Sequence, residues 1–315
     1  MGDLADPPAA SDDRTTPAAA PPSSPSPAKR SYDGPLLGFL TFLVAAGAAV
    51  ATSVVVAVIA ATAAAILDRI RERQALIEAA SGFWAMLFTI LASQVVMLVV
   101  ALVAWRFTGA PFRERLALRN PRVGVLGGAI VVAGGVLPLL VGVLCAAAVA
   151  DRLPTFGDSE AISRIWTEPS LPLAVLWTAV IGLFPGVIEE LLFRGVIQRA
   201  FLLRWPALWS ILLTSVFFGL LHVAPPAVVF ATILGVWLGV VAWRTESIVL
   251  PMLTHIVINS GFNAVMMVLH RHEFDERTIE IGFWALLGAS FAVFVVAMRI
   301  LVLRGRIAPA STPAA

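Results

Sequence analysis

Ile188-Glu189-Glu190-Leu191-Leu192-Phe193-Arg194 sets two adjacent carboxylates and an arginine inside a run that is otherwise fit for lipid. A charge at the centre of a membrane helix costs roughly 2.5 to 3.5 kcal/mol on insertion scales, so three together need partners or a purpose. If the segment is helical, Glu190 and Arg194 are four apart and share a face, where they can neutralise each other. Glu189 is turned about 100° away and lacks that partner. One carboxylate therefore reads as structural and the other as available for proton transfer.

The surrounding composition makes this a membrane problem. Of 315 residues, 59% are hydrophobic and only 13% are charged, and the mean hydropathy is +0.90. These values describe an all-α, polytopic membrane helix bundle and not a soluble domain with a large core. A net charge of +2, scattered in loops, offers no nucleic-acid surface. The single cysteine, Cys145, lies in an apolar run and excludes an internal disulfide.

Residues 1–35 are rich in Pro, Ala, Ser and Asp without apolar periodicity, which predicts a disordered N-terminal tail. Eight apolar runs follow, near 36–66, 83–105, 123–149, 171–199, 206–222, 225–243, 247–269 and 281–303, so about eight transmembrane helices are expected. The fifth and sixth are separated by little more than Val223-Ala224-Pro225-Pro226 and read either as two spans or as a re-entrant, kinked pair. Residues 36–122 are taken as N-terminal transmembrane helices, 123–303 as a catalytic bundle with its motif core at 171–269, and 304–315 as a C-terminal tail. Gly124, Gly127, Gly128, Gly134 and Gly135 give the third span small faces for close packing. The segment from Asp151 to Ser170 carries Ile162, Ile165 and Trp166 at helical spacing, which suits a short interfacial helix, and Trp205 and Trp209 suit the same interfacial level. With eight spans, basic residues favour the side bearing both termini by twelve to seven, which predicts a multi-pass inner (plasma) membrane protein with cytoplasmic termini.

Two of the four histidines lie in apolar runs. His222 closes Phe218-Gly219-Leu220-Leu221-His222, and His255 opens His255-Ile256-Val257-Ile258-Asn259, with Asn263 continuing its helical face. A polar stripe in a membrane helix should point into the bundle, because lipid offers it no hydrogen-bond partner. His270 and His272 fall in the polar stretch His270-Arg271-His272-Glu273, read as a loop between the last two spans. Glu189, His222, and His255 with Asn259 thus come from three separate helices. A carboxylate beside an imidazole can deprotonate a water, and a second imidazole with a carboxamide can stabilise an oxyanion. Glu189, His222 and His255 also form a plausible zinc ligand set, so a divalent metal is an open alternative.

In these motifs the chain resembles the CPBP family of intramembrane proteases, relatives of type II CAAX prenyl endopeptidases and of bacterial proteins linked to bacteriocin self-immunity. The pattern E-E-x-x-x-R, F-x-x-x-H, H-x-x-x-N is intact and in order as Glu189-Glu190 with Arg194, Phe218 with His222, and His255 with Asn259. The resemblance implies that Glu189 is the general base, that His222 helps hold the attacking water, that His255 and Asn259 stabilise the oxyanion, and that Glu190 and Arg194 are a structural ion pair. It implies an endopeptidase acting on a peptide or membrane-protein substrate in the lipid bilayer. Two other readings stand beside it: a catalytically silent immunity or scaffold protein with the same fold, and a proton-coupled transporter using the glutamate pair. The motifs H-E-x-x-H, G-x-S-x-G and G-x-G-D are all missing from the sequence, which sets aside other intramembrane protease types.

Overall fold

The computed structural model describes residues 33–67, 72–80, 82–150, 152 and 159–304. The expected tails therefore lie almost wholly outside the described residues. Every regular element described is helical: α1 (Pro35–Leu67), α2 (Arg73–Ala80), α3 (Phe83–Thr108), α4 (Phe112–Arg115), α5 (Gly124–Ala133), α6 (Val136–Ala150), α7 (Ser159–Thr167) and α8 (Leu171–Glu190). A π-helical segment, Leu191–Gln198, continues α8 into α9 (Arg199–Leu202), followed by α10 (Ala207–Leu220), α11 (Pro225–Thr245), α12 (Val249–Arg271) and α13 (Glu276–Arg304). Long apolar sequences that satisfy their own backbone groups leave no other spanning solution in lipid.

Among the described residues, seven helical stretches are long and apolar enough to cross a membrane. These bear out the all-α polytopic bundle. The fifth expected span differs: α10 has only 14 residues, about 21 Å of rise against a hydrocarbon core of about 30 Å. Val223 explains its abrupt end, because a φ of 60° takes the chain out of the helix and Pro225-Pro226 then start α11. The third span is two helices with a break at Gly134-Gly135. At the other end of the polar stretch, α12 runs through His270 to Arg271, so only His272 onward forms the loop. Arg271 donates to the carbonyls of Trp166 (2.8 Å) and Pro169 (2.7 Å), and so secures the end of α7.

Glycine sets how closely the helices around the motifs approach. A Cβ on Gly186 would lie 2.5 Å from Ile256 Cγ1 and 2.9 Å from the Ile256 amide nitrogen, and one on Gly182 would collide with Ser260. The Gly182/Gly186 face of α8 thus receives α12 backbone to backbone, which is how a small-xxx-small face works where lipid supplies no hydrophobic drive. On α11, a Cβ on Gly235 would crowd Ser215 and Phe218, and one on Gly239 would meet Gln198 and Ile211. Glycines 127, 128, 134 and 135 pack against Ile300, Leu250, Ala297 and Thr254 respectively, as the third span's small faces suggested.

Gly186→Ala is expected to destabilise the protein by about 1–3 kcal/mol, because the backbone of α12 must move to admit the methyl group. Gly47→Ala in α1, where a Cβ meets nothing within 4 Å, should stay within about 0.5 kcal/mol of wild type. Thermal melting of both variants in the same detergent checks the contrast.

Candidate functional site

Glu189 and Glu190 are the last two residues of α8 before the winding widens. The π-helical residues Leu191 to Gln198 are all buried, and such segments concentrate at functional sites because they turn side chains out of α register. Arg194 and Gln198 both reach α11 here, donating to the carbonyls of Gly235 and Gly239 at 3.0 Å each. Glycine at both positions lets the two backbones come that close.

The expected Glu190–Arg194 pair is present. Arg194 Nη1 donates to Glu190 Oε1 at 2.6 Å, with neither side chain exposed. That same oxygen accepts from His255 Nδ1 at 2.9 Å. Glu190 therefore does more than neutralise Arg194: it fixes the His255 ring with a proton on Nδ1 and turns Nε2 toward Glu189, whose Oε2 lies 4.0 Å away. That gap is too long for a direct hydrogen bond.

Glu189 is held from a different quarter. Gln94 Nε2, on α3, donates to Glu189 Oε1 at 2.8 Å across 95 residues of sequence. Gln94 is 3% exposed. It escaped the sequence reading, although an amide in the middle of Phe83-to-Thr108, among apolar neighbours, is the kind of signal that marks an inward-facing group.

His222 sits one turn past Phe218, and its Nδ1 meets the Phe218 carbonyl at 3.0 Å. Since the carbonyl can only accept, Nδ1 carries the proton and the neutral ring offers a lone pair at Nε2. The carbonyl needs this donor because the His222 amide bonds to Gly219 instead. Phe218 is the shared wall: its ring makes edge contacts with His222 (5.2 Å), His255 (5.5 Å) and Phe193 (5.2 Å), and the Arg194 guanidinium lies 4.6 Å from its centroid. Among the described residues no hydrogen bond joins His222 to Glu189 or His255, so the ring of Phe218 is what relates the two imidazoles.

Asn259 owes its place to a proline. Pro185 lies inside α8 and has no amide hydrogen, which frees the carbonyl four residues earlier, that of Ile181. Asn259 Nδ2 donates to this carbonyl at 3.3 Å. One turn on, Asn263 Nδ2 bonds to the Asn259 carbonyl at 2.9 Å, while its Oδ1 accepts from the indole nitrogens of Trp177 (3.1 Å) and Trp166 (3.3 Å). The stripe of His255, Asn259 and Asn263 thus faces the bundle, and Trp166 has an internal partner as well as its place on α7.

Glu189, His222 and His255 are the side chains that the metal alternative would use. Among the described residues no three His, Cys, Asp or Glu side chains are gathered at metal-binding spacing.

Residues 171–261 match the family model described as type II CAAX prenyl endopeptidase Rce1-like. The segment is similar to the Rce1-like domain. It contains every motif residue from Glu189 to Asn259, and the resemblance to CPBP proteases is borne out. Gln94 and Asn263 lie outside it. No curated protein and no solved structure matches the chain in the corresponding comparisons. The apolar helices are those of an integral membrane protein, and its residues 171–261 are similar to a family of membrane proteases.

Arg194→Ala should lower stability by about 3–5 kcal/mol, because it strands Glu190 without its cation in a water-free setting. Glu189→Gln keeps an acceptor for Gln94 and is expected to stay within about 1 kcal/mol of wild type. Equal shifts in the two melting curves would overturn the division of labour between the glutamates.

Proposed function

We propose that the protein is a membrane endopeptidase in which Glu189 activates the water that attacks a peptide carbonyl. The observation that supports this most is the unequal treatment of two adjacent buried carboxylates. Glu190 is committed to Arg194 and His255, whereas Glu189 is pinned at one oxygen by Gln94 and keeps the other facing His255.

In this reading a water donates hydrogen bonds to Glu189 Oε2 and to the lone pair on His222 Nε2. Glu189 takes a proton as the water oxygen forms its bond to the carbonyl carbon. The carbonyl π pair moves to oxygen, where His255, protonated at Nε2, and the second N–H of Asn259 stabilise the oxyanion. Glu190 holds the ring by its Nδ1–H throughout. As the oxyanion collapses, the C–N bond breaks and Glu189 returns its proton to the leaving amine, which yields a carboxylic acid and an amine.

The substrate in this proposal is a peptide or membrane-protein segment presented from the bilayer, and no metal takes part. The bundle end with Asp33, Arg115, Arg119 and Glu246, where both described chain ends also lie, is assigned to the cytoplasm on its arginine content. The membrane is the inner (plasma) membrane.

Glu189→Gln should lower cleavage of a quenched peptide library by at least about 100-fold, and activity of the wild type should survive chelation. Gln94→Ala, which frees the base to swing, is expected to reduce kcat by about ten-fold or more with KM little changed. Wild-type protein as inert as Glu189→Gln in neutral detergent would favour the silent scaffold instead.

A further inference from the structure

At the bundle end nearest the motifs, Arg115, Arg119, Arg194, Gln198, Arg199 and Glu246 line a cavity of about 270 Å³. The carboxylates around it are already used. Asp33 accepts from Arg115 at 2.8 Å, Glu246 from Arg119 at 2.9 Å, and Glu190 from Arg194 at 2.6 Å. Arg199 has no carboxylate and no other side-chain partner among the described residues. Its cation is the surplus charge of the cluster.

The donors tell the same story atom by atom. The Nε groups of Arg115, Arg194 and Arg199 are all buried without an acceptor, although Arg115 is 5% and Arg194 only 1% exposed. A buried unmade hydrogen bond is costly, and a charged donor more so. Here three such donors belong to residues lining one cavity. Burial also pulls the Arg115 pKa below its ordinary value, with Asp33 opposing that only in part. The chemistry that satisfies several guanidinium forks at once is a multi-oxygen anion.

Position narrows the choice. The cavity is lined by the ends of spans 171–202 and 225–245 and by the residue just before span 249–271, and the ends of spanning helices are where a chain meets lipid headgroups. From these observations we propose that the Arg115–Arg194–Arg199 cavity binds a phosphate-type oxyanion, either the phosphomonoester headgroup of an anionic lipid or free phosphate. The site does not depend on the protease reading. It adjoins that machinery through Arg194, which serves both Glu190 and the cavity wall.

The test uses the full-length protein purified in neutral detergent without phosphate. Inorganic phosphate should raise its Tm at millimolar concentration, with sodium chloride of equal ionic strength giving no such rise. Arg199→Gln should weaken this response at least ten-fold. In parallel, nanodiscs of phosphatidylcholine with and without phosphatidic acid identify the source. Stabilisation by phosphatidic acid alone assigns the site to lipid, stabilisation by soluble phosphate alone to the free anion, and each supports the proposal if it depends on Arg199. Should Arg199→Gln fail to fold, Arg199→Lys keeps the charge, loses the fork and is expected to bind more weakly. No response of the wild type to either probe, or a response unchanged in the variants, overturns it.

Discussion

The Oε1 atom of Glu190 accepts from Arg194 and from His255 at once, and the motif-bearing helices are arranged around that shared oxygen. A buried carboxylate is tolerable only with its charge compensated, and here both bonds fall on Oε1 while Oε2 is buried without a partner. Arg194 supplies the charge from one turn along the same chain. His255 supplies the second bond from another helix, and in doing so acquires a defined tautomer and ring orientation. The structural ion pair and the orientation of the candidate active-site imidazole are therefore one interaction.

Bringing α12 close enough for that bond depends on atoms that are missing. Gly182 and Gly186 have no Cβ to hold α12 away, and Pro185 between them lacks the amide hydrogen that would have occupied the Ile181 carbonyl. Asn259 fills that vacancy in the hydrogen-bond ladder. The same few residues of α8 thus set both the helix spacing and a polar attachment point for the partner helix. On the other side, Gly235 and Gly239 admit Arg194 and Gln198 to the α11 backbone. Arg194 and Gln198 of the wide-wound segment are held through main-chain carbonyls, which no side-chain substitution on α11 can remove directly.

The cluster also sits between two regions of different character. Toward the helix ends the arginines of α4, α9 and the following loops gather around a polar cavity. Toward the other end, Trp166, Trp177 and Asn263 close an apolar region against Ile181. Arg194 and Asn259 stand at the two boundaries, so the candidate site lies at the change from charged to apolar surroundings. Glu189, bonded at one oxygen by Gln94, lies between the two.

Composition and run length were enough to announce a polytopic helical membrane protein, because covering about 30 Å of hydrocarbon with satisfied backbone demands long apolar helices. The Glu190–Arg194 pair was equally legible, since four-residue spacing on one helix is a local property. So were the inward faces of His255 and Asn259. What only the tertiary structure decided was which separate helices meet and at what depth. Gln94 reaches Glu189 across 95 residues, a pairing that no local period encodes. His222 meets the ring of Phe218 just past the end of the 14-residue α10, in a run whose spanning or re-entrant character the sequence left open. His255 turned out to belong to Glu190 because Gly186 lets α12 approach. Periodicity reports the face a residue occupies, while helix length, break points and glycine contacts set the register between faces, and that register is a property of the packed bundle.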